Sequence, residues 1–159
     1  MAETDTQKPE PANPDDLPEI LKLQKLAFLS EAEALGDHSI QPLTQTLDEL
    51  RAEFEKGPIL VLRERGGPAI LGSVRARQEG GLVYVAKLVV HPSHQNRGLG
   101  QTLLAAVEGL FGPQAKYVLH TNAKNPKNLH LYDKMGYREF KREKMTDRLN
   151  FVFLEKRLD

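Results

Sequence analysis

The stretch from residue 82 to residue 111 constrains the fold of this chain more than any other. An almost unbroken apolar run, Leu82 to Val90, predicts a strand covered on both faces, and His91-Pro92 ends it. The apolar residues that follow have the spacing of one helical face: Leu103, Leu104, Val107, Leu110 and Phe111. Because Gly98 and Gly100 separate the two segments, we predict a strand, a glycine turn and a helix.

The glycine turn has the properties of an anion site. Glycines let the backbone approach a ligand closely, and the first-turn amides of a helix have no internal partners, so phosphate or pyrophosphate suits this position. The Walker A pattern is excluded, because the residues after Gly98 supply neither its lysine nor its spacing. The dinucleotide fingerprint is a weak match, because Leu103 replaces its third glycine and residues 110–127 contain no acid for the ribose.

The pattern that remains is Gln-x-x-Gly-x-Gly after a Leu-x-Val-x-Pro strand end. It resembles the acyl-CoA site of the GCN5-related N-acetyltransferase (GNAT) family. In that family the matching loop amides hold the coenzyme A pyrophosphate, and the matching strand edge hydrogen-bonds the pantetheine arm. The resemblance implies a set of cofactor-binding residues in this chain: Leu88, Val89, Val90, Gln95, Asn96, Arg97, Gly98, Leu99, Gly100 and Gln101.

The rest of the chain predicts a mixed fold around this unit. Asn13-Pro14 begins a helix that runs to about residue 34, and residues 46–49 form a capping box for a second helix ending near Gly57. Apolar runs predict strands at 59–62, 69–74, 117–120, 137–144 and 149–156. The result is an α/β (α+β) fold with a mostly antiparallel sheet and one parallel βαβ crossover. Its order, β-α-α-β-β-β-α-β-α-β-β, is the order that the GNAT family shows.

A second motif lies in residues 125–137. Asn125 is followed seven residues later by Tyr132, and then by Gly136 and Tyr137, which resembles the second signature of the same family. The resemblance implies that Asn125 and Asn128 contact the cofactor arm and that Tyr132 lies near the thioester sulfur. Without the resemblance, Asn125 is an ordinary helix N-cap and Tyr132 a core aromatic, and Asn125 can serve both roles.

The resemblance makes Tyr132 the group that assists the departing CoA thiolate. Reference pKa values of about 10 for a phenol and about 8.5 for a thiol make full proton transfer uphill by roughly 2 kcal/mol. A hydrogen bond to the developing charge is therefore favoured, although desolvation of the thiol leaves proton transfer open.

The sequence does not mark the base that deprotonates the amine. Many family members place a glutamate on the central strand, where this chain offers Lys87. The candidates elsewhere are Glu31, Glu33, Asp37, His38 and His120. His120 ranks first, because its strand is parallel to the one leading into the cofactor loop, so it faces the crevice at the carboxyl edge. His91 and His94 have no carboxylate neighbour, so we expect no metal.

Composition narrows the class of protein. The 159 residues contain no internal repeat and predict one domain, 1–159, with residues 1–12 as a loose tail or weak edge strand. Lys plus Arg and Asp plus Glu both number 22, which argues against nucleic acid and membrane partners. Without cysteine, a signal peptide or a long apolar run, we expect a cytoplasmic location.

The resemblance implies an acyl-CoA-dependent N-acyltransferase that moves an acyl group directly from the thioester to a primary amine in a ternary complex. Acetyl-CoA is the first choice of cosubstrate, and a longer acyl group stays open. The segment between the first two helices borders the acceptor site in the family, so its polar residues are the predicted substrate contacts: Glu31, Glu33, Asp37 and His38. Their acids favour a small cationic amine, with a protein amine as the alternative. The rival function is a non-catalytic acyl-CoA sensor, which Lys87 favours. The oligomeric state stays open, a homodimer included.

Overall fold

The computed structural model describes residues 6–158, and within them the chain alternates helices and strands. The helices are α1 (Leu17–Leu35), α2 (Gln41–Thr44), α3 (Leu47–Lys56), α4 (Leu99–Phe111) and α5 (Pro126–Lys134). The strands are β1 (Glu10–Pro11), β2 (Ile59–Arg63), β3 (Ile70–Glu79), β4 (Leu82–Val90), β5 (Lys116–Asn122), β6 (Arg138–Lys144) and β7 (Asn150–Arg157). These strands form one sheet in the order β1-β2-β3-β4-β5-β7-β6, and β4–β5 is its parallel pair. The predicted mixed fold with one βαβ crossover is therefore confirmed.

Strand β2 shows how the sheet separates two layers. Leu60 and Leu62 belong to one cluster of buried residues, whereas Val61 between them belongs to another, because alternate residues of a strand point to opposite faces. The Val61 face is covered by apolar residues of α1 and α3: Leu17, Ile20, Leu23 and Leu50. The opposite face is covered by apolar residues of α4 and α5: Leu99, Leu103, Leu104, Val107 and Tyr132.

The predicted capping box of α3 is confirmed. The Thr46 hydroxyl accepts from the Glu49 amide at 3.2 Å, and the Glu49 carboxylate accepts from the Thr46 amide at 2.9 Å. The short helix α2 was missed, because it occupies one turn. Gln45 follows it with an extended ψ of 134°, so α2 and α3 are separate helices.

The amino-terminal segment contains the weak edge strand that the sequence suggested. Glu10 and Pro11 pair with Val61 and Leu60 in antiparallel register. Pro11 is tolerated because an edge strand leaves one side without partners. The first part of the predicted tail, residues 1–5, lies outside the described residues.

Two predictions about burial were wrong. Strand β4 is not covered along both faces: Val83, Val85 and Val89 are buried, but the residues between them are half-buried. Of the half-buried residues, Leu88 and Val90 border a cavity. Leu110 is 55% exposed in the last turn of α4, and the neighbouring acid Glu108 is buried instead. No helix within residues 6–158 has the length and hydropathy needed to cross a bilayer.

Candidate active site

A cavity of about 790 Å³ opens where the ends of β4 and β5 meet the starts of α4 and α5 and the second half of α1. Eleven of the predicted cofactor-binding residues line it: Leu88, Val89, Val90, Gln95, Asn96, Gly98, Leu99, Gly100, Gln101, Asn125 and Asn128. Arg97 lies in the same loop but is exposed and does not line the cavity. The volume is in the usual range of small-molecule and cofactor sites.

The cavity exists because β4 and β5 diverge after a short stretch of parallel pairing. Their parallel register covers Leu82 to Tyr84 against Lys116 to Val118 and stops there, although both strands continue. A β-bulge in the register with β3 follows between Ala86 and Val89, and Lys87 within it has a φ of +53°. Bulges bend a strand and re-aim its side chains. The β5-facing edge of residues 88–90 is therefore not paired with β5 and borders the cavity.

The glycine turn presents backbone amides to this cavity. Gly98 is the N-cap of α4 with a φ of +79°, and Asn96 also has a left-handed φ of +65°. The first helical bond runs from the Thr102 amide to the Gly98 carbonyl at 3.0 Å. The amides of residues 99–101 precede that bond and have no partner within the helix, so they are free to bind an anion.

A side chain at position 100 would reduce the space in the cavity. A Cβ there would lie 3.3 Å from Leu131 Cδ2 and 3.9 Å from Leu88 Cδ2, and all three residues line the cavity. At Gly98 nothing lies within 4 Å of such a Cβ, so the left-handed backbone is what favours glycine there.

The start of α5 is fixed by two asparagines. The Asn125 side chain accepts from the Asn128 amide at 3.1 Å, which makes Asn125 the N-cap. The Asn128 side-chain amide donates to Thr121 Oγ1 at 3.1 Å and so ties α5 to β5. Both residues line the cavity from positions that these bonds hold in place.

Basic residues on and just before α5 were missed by the sequence analysis. Four of them line the cavity: Lys124, Lys127, His130 and Lys134. Their recurrence every three or four residues along one helix was the signal that could have revealed them. Positive charge at this wall complements an anionic ligand bound to the glycine turn.

Tyr132 is buried on α5 and does not line the cavity. Its ring lies 6.0 Å from the Tyr137 ring, and burial raises the pKa of its hydroxyl far above the ordinary value. Among residues 6–158, nothing hydrogen-bonds this hydroxyl. The Tyr137 hydroxyl, by contrast, donates to Glu108 Oε2 at 2.8 Å.

Glu31 is the one predicted acceptor-side residue that lines the cavity, within the described part of the chain. Burial raises the pKa of its carboxyl, and a hydrogen bond from the Asn122 side chain offsets this in part. Asn122 is itself buried at the end of β5, and its Oδ1 accepts from the Lys124 amide at 2.9 Å. That bond leaves the side-chain NH₂ of Asn122 to donate to Glu31.

The other predicted acceptor-side residues lie away from the cavity. Glu33 and His38 are exposed. The Asp37 carboxylate accepts from the Ser39 amide at 2.8 Å and from its hydroxyl, and these bonds lower the pKa of Asp37. Asp37 therefore stabilises the turn after α1.

His120 lies on the face of β5 opposite α4, because Leu119 beside it belongs to the α4 cluster. Its ring centroid is 4.4 Å from that of Phe151 and 5.4 Å from that of Phe153. Desolvation lowers the pKa of His120, and the positive charge of Lys87 adds to this effect. His120 is exposed and does not line the cavity, so the structure does not bring it to the crevice where the sequence placed it.

The described residues contain no group of three or more histidine, aspartate or glutamate side chains placed to hold a metal ion. His91 and His94, 5.9 Å apart by ring centroid, are instead linked through the Ser93 hydroxyl at 2.8 and 2.7 Å.

Comparisons with known proteins identify the family. The model of the acetyltransferase (GNAT) family matches residues 17–137, so this chain belongs to that family. The chain is 26% identical over 121 residues to the UPF0157 protein YqkA of Bacillus subtilis (strain 168). That match covers 76% of this chain and 34% of YqkA, so the chain spans about a third of the length of this relative.

Solved structures share the fold. The ribosomal-protein-S18-alanine N-acetyltransferase of Escherichia coli superposes with a TM-score of 0.77 at 17% identity, over 96% of this chain and 94% of that one. The putative acetyltransferase yncA of Salmonella typhimurium, which was solved with its cofactor acetyl-CoA, gives 0.72 at 22% identity over 98% and 95%. A putative phosphinothricin N-acetyltransferase gives 0.70 at 16% identity over 96% and 98%.

Proposed function

We propose that this protein transfers an acetyl group from acetyl-CoA to a primary amine by direct attack in a ternary complex. The observation that carries the proposal is the convergence of three features on one cavity: the amides of the glycine turn, the edge of β4 that is not paired with β5, and the capped start of α5. Membership of the GNAT family supports the same reaction.

The amides of residues 99–101 would hold the pyrophosphate of acetyl-CoA in the cavity. Gln95, Asn96 and Gln101 flank that position, and the basic residues around α5 balance its charge. The pantetheine arm runs beside residues 88–90, whose backbone groups hydrogen-bond its amides as an added strand would. Asn125 and Asn128 contact the arm from the other wall.

Tyr132 assists the leaving group. When the amine nitrogen attacks the thioester carbonyl, the carbon–sulfur bond breaks and negative charge develops on sulfur. A hydrogen bond from the Tyr132 hydroxyl stabilises that charge. Because burial raises the pKa of Tyr132, full proton transfer to a thiolate is further uphill than in water, and the hydrogen bond is the better role.

Glu31 and His120 are the candidates for the base. Glu31 is favoured because it lines the cavity and because its raised pKa makes it a stronger base than an exposed glutamate. His120 does not line the cavity, and desolvation and the charge of Lys87 lower its pKa and make it a weaker base. Either group takes the amine proton directly or through one water.

The rival function is a non-catalytic acyl-CoA sensor, which the lysine at position 87 favours. One measurement establishes binding, and a second separates the functions. Acetyl-CoA should raise the melting temperature in both cases, more than NAD or ATP does, since a ligand at 100 times its Kd adds about 2.7 kcal/mol to the folded state. Only an enzyme releases the CoA thiol when a panel of amines is added, and binding without thiol release would support the sensor.

A further inference from the structure

The α1 side of the sheet is covered over only part of its width. Within residues 6–158, the strand residues of the α1 cluster come from β2, β3 and β4, and none come from β5, β6 or β7. Phe151 and Phe153 of β7 point to this side, because Val152 and Leu154 pack in the α4 cluster on the other side. Among the described residues, these two phenylalanines belong to none of the clusters of buried side chains.

The uncovered part of the sheet has four neighbouring aromatic side chains, which we call the aromatic patch: His120, Phe140, Phe151 and Phe153. The Phe153 ring centroid lies 5.4 Å from that of His120, 6.3 Å from that of Phe151 and 6.4 Å from that of Phe140. A register shift between Glu139 and Lys141 contains Phe140, which is 48% exposed. Single exposed aromatics are ordinary on a protein surface, but a contiguous group of them marks a binding site.

The aromatic patch adjoins the cavity through β5. Asn122 lines the cavity and lies two residues beyond His120, on the same face of the strand. In the pairing of β5 with β7, Phe151 is directly opposite Asn122, and Phe153 is opposite His120. Directly opposed residues of neighbouring strands lie about 5 Å apart, so the patch begins one strand away from the cavity wall.

The charged groups at the two ends of this surface fix the orientation of an amine. At the cavity end, Glu31 lines the cavity together with Asn122. At the outer end, Lys141 Nζ lies 4.4 Å from the Phe153 ring centroid and pairs with Glu143 at 3.4 Å. Because that end already holds an ion pair, the acid that remains for an ammonium group is Glu31.

We propose that the acceptor is a primary amine joined to an aromatic ring by a short alkyl chain, with its amine beside Glu31 and its ring on Phe151 and His120. This inference rests on the proposed acetyltransferase function and names its substrate class. It differs from the small cationic amine that the acids after α1 suggested, because Glu33 and Asp37 lie away from the cavity.

The ring contributes binding and takes no part in the reaction. The amine nitrogen forms the amide bond to the acetyl carbon, the carbon–sulfur bond breaks with its electron pair on sulfur, and the base takes the proton that the nitrogen loses. Aromatic rings stack on one another at centroid distances of about 4.5–7 Å, beyond what burial of their area contributes. A planar ring therefore fits the aromatic patch better than a saturated ring of similar size.

The test compares amines that differ only in the ring. The phenyl compounds are 2-phenylethylamine, 3-phenylpropylamine and 4-phenylbutylamine, and each is compared with its cyclohexyl analogue and with the alkylamine that lacks the ring. Thiol release gives kcat/KM, and mass spectrometry identifies the product. For at least one chain length, we expect the phenyl compound to exceed the alkylamine by about tenfold or more, as for burial of a large apolar group. It should exceed the cyclohexyl analogue by about threefold or more.

Variants assign the preference to the aromatic patch. Phe151→Leu should reduce the ratio of kcat/KM between the preferred phenyl compound and its cyclohexyl analogue to about one, and Phe151→Tyr should keep the ratio, because it keeps a ring. Phe153→Leu should lower it by a smaller factor and serves as a second variant. Phe54→Leu is the matched control, because Phe54 is a partly buried phenylalanine that packs in the α1 cluster. The melting temperature and its shift with acetyl-CoA show that each variant is folded.

Four results would overturn the inference. Equal kcat/KM for every phenyl compound and either of its partners would refute the substrate class and leave the acetyltransferase function in place. An unchanged ratio in folded Phe151→Leu would refute the role of the aromatic patch. A dimer that Phe151→Leu converts to a monomer in sedimentation equilibrium would show that a second copy of the chain covers the patch. No thiol release with any amine would contradict the acetyltransferase function itself, and this inference with it.

Discussion

The rings of Tyr132 and Tyr137 lie 6.0 Å apart at an interplanar angle of 60°, yet their hydroxyls have different surroundings. The Tyr137 hydroxyl donates to Glu108, which also accepts from Lys156 Nζ at 3.0 Å. No group among residues 6–158 hydrogen-bonds the Tyr132 hydroxyl. One tyrosine therefore has a structural partner, and the other has a hydroxyl without a hydrogen-bond partner among residues 6–158.

This pair gives a matched test of the role of Tyr132. Tyr132→Phe keeps the ring and removes no protein hydrogen bond, so stability and the Kd of acetyl-CoA should change little while kcat falls by roughly 10²-fold. Tyr137→Phe should lower the unfolding free energy by about 1–3 kcal/mol, because it removes a hydrogen bond to a buried carboxylate, with kcat unchanged. Denaturant unfolding and thiol release measure both. A Tyr132→Phe protein with reduced stability and normal kcat would show a structural tyrosine.

Two glycines of α4 give a second matched pair. Gly100→Val should weaken acetyl-CoA binding by tenfold or more, because its side chain would enter the cavity beside Leu131 and Leu88. Gly109→Ala should leave affinity unchanged and stabilise the protein by about 0.5–1 kcal/mol, since a Cβ there meets open space in a helix. Calorimetric titration gives the affinities. Normal affinity in folded Gly100→Val would mean that the glycine turn serves only to start the helix.

The raised pKa of Glu31 predicts the acidic limb of the pH profile. A base must be ionised, so kcat/KM should fall as the pH drops through a value above 4.5, the ordinary pKa of the group. Glu31→Gln should remove that limb and lower kcat, whereas Glu33→Gln, exposed on the same helix, should do neither. If the limb persists in Glu31→Gln and disappears in His120→Gln, the base is His120.

The raised pKa of Glu31 also predicts a pH dependence of stability. Stability should decrease as the pH rises, whereas kcat/KM should increase. Folding raises the pKa of Glu31, so its contribution to stability is fully present below about pH 4.5 and is lost as the pH rises through the folded value. Glu31→Gln should therefore be more stable than the parent protein at pH 7 and no more stable near pH 4. Urea unfolding at the two pH values measures this, and a less stable variant at pH 7 would contradict the desolvation of Glu31.

Asp16 should show the reverse dependence on pH. Burial opposes its charge, but the hydrogen bond from the Asn13 amide at 2.8 Å and the pairing with Arg63 at 2.7 Å outweigh burial and lower the pKa of Asp16. Its stabilisation is present above pH 3.8 and is lost as the pH falls below that value. Asp16→Asn should cost about 1–3 kcal/mol at pH 7 and progressively less in acid. A constant difference between pH 7 and pH 3 would show that the ion pair does not contribute.

The sequence predicts those parts of the protein that local signals determine. Thr46 and Glu49 specify a helix start within four residues, and the apolar run before Gly98 specifies the strand, turn and helix of the cofactor loop. The two motifs also locate the cavity, because they lie at adjacent strand ends.

Contacts between distant residues could not be predicted. Asn122 holds Glu31 across 91 residues of chain, and nothing local to Glu31 distinguishes it from Glu33. The bulge at Lys87 is a property of the register between β3 and β4, which a single strand does not encode. Buried Glu108 accepts from Tyr137 and Lys156, which come from later parts of the chain.

The proposed reaction requires that bound acetyl-CoA is consumed in the presence of an amine. The decisive measurement is thiol release from acetyl-CoA with and without the amine panel, with the acetylated product identified by mass spectrometry. We predict amine-dependent release, one acetylated amine formed for each thiol, and loss of roughly 10²-fold in Tyr132→Phe. Saturable binding of acetyl-CoA with no amine-dependent thiol release would contradict the account and indicate a sensor.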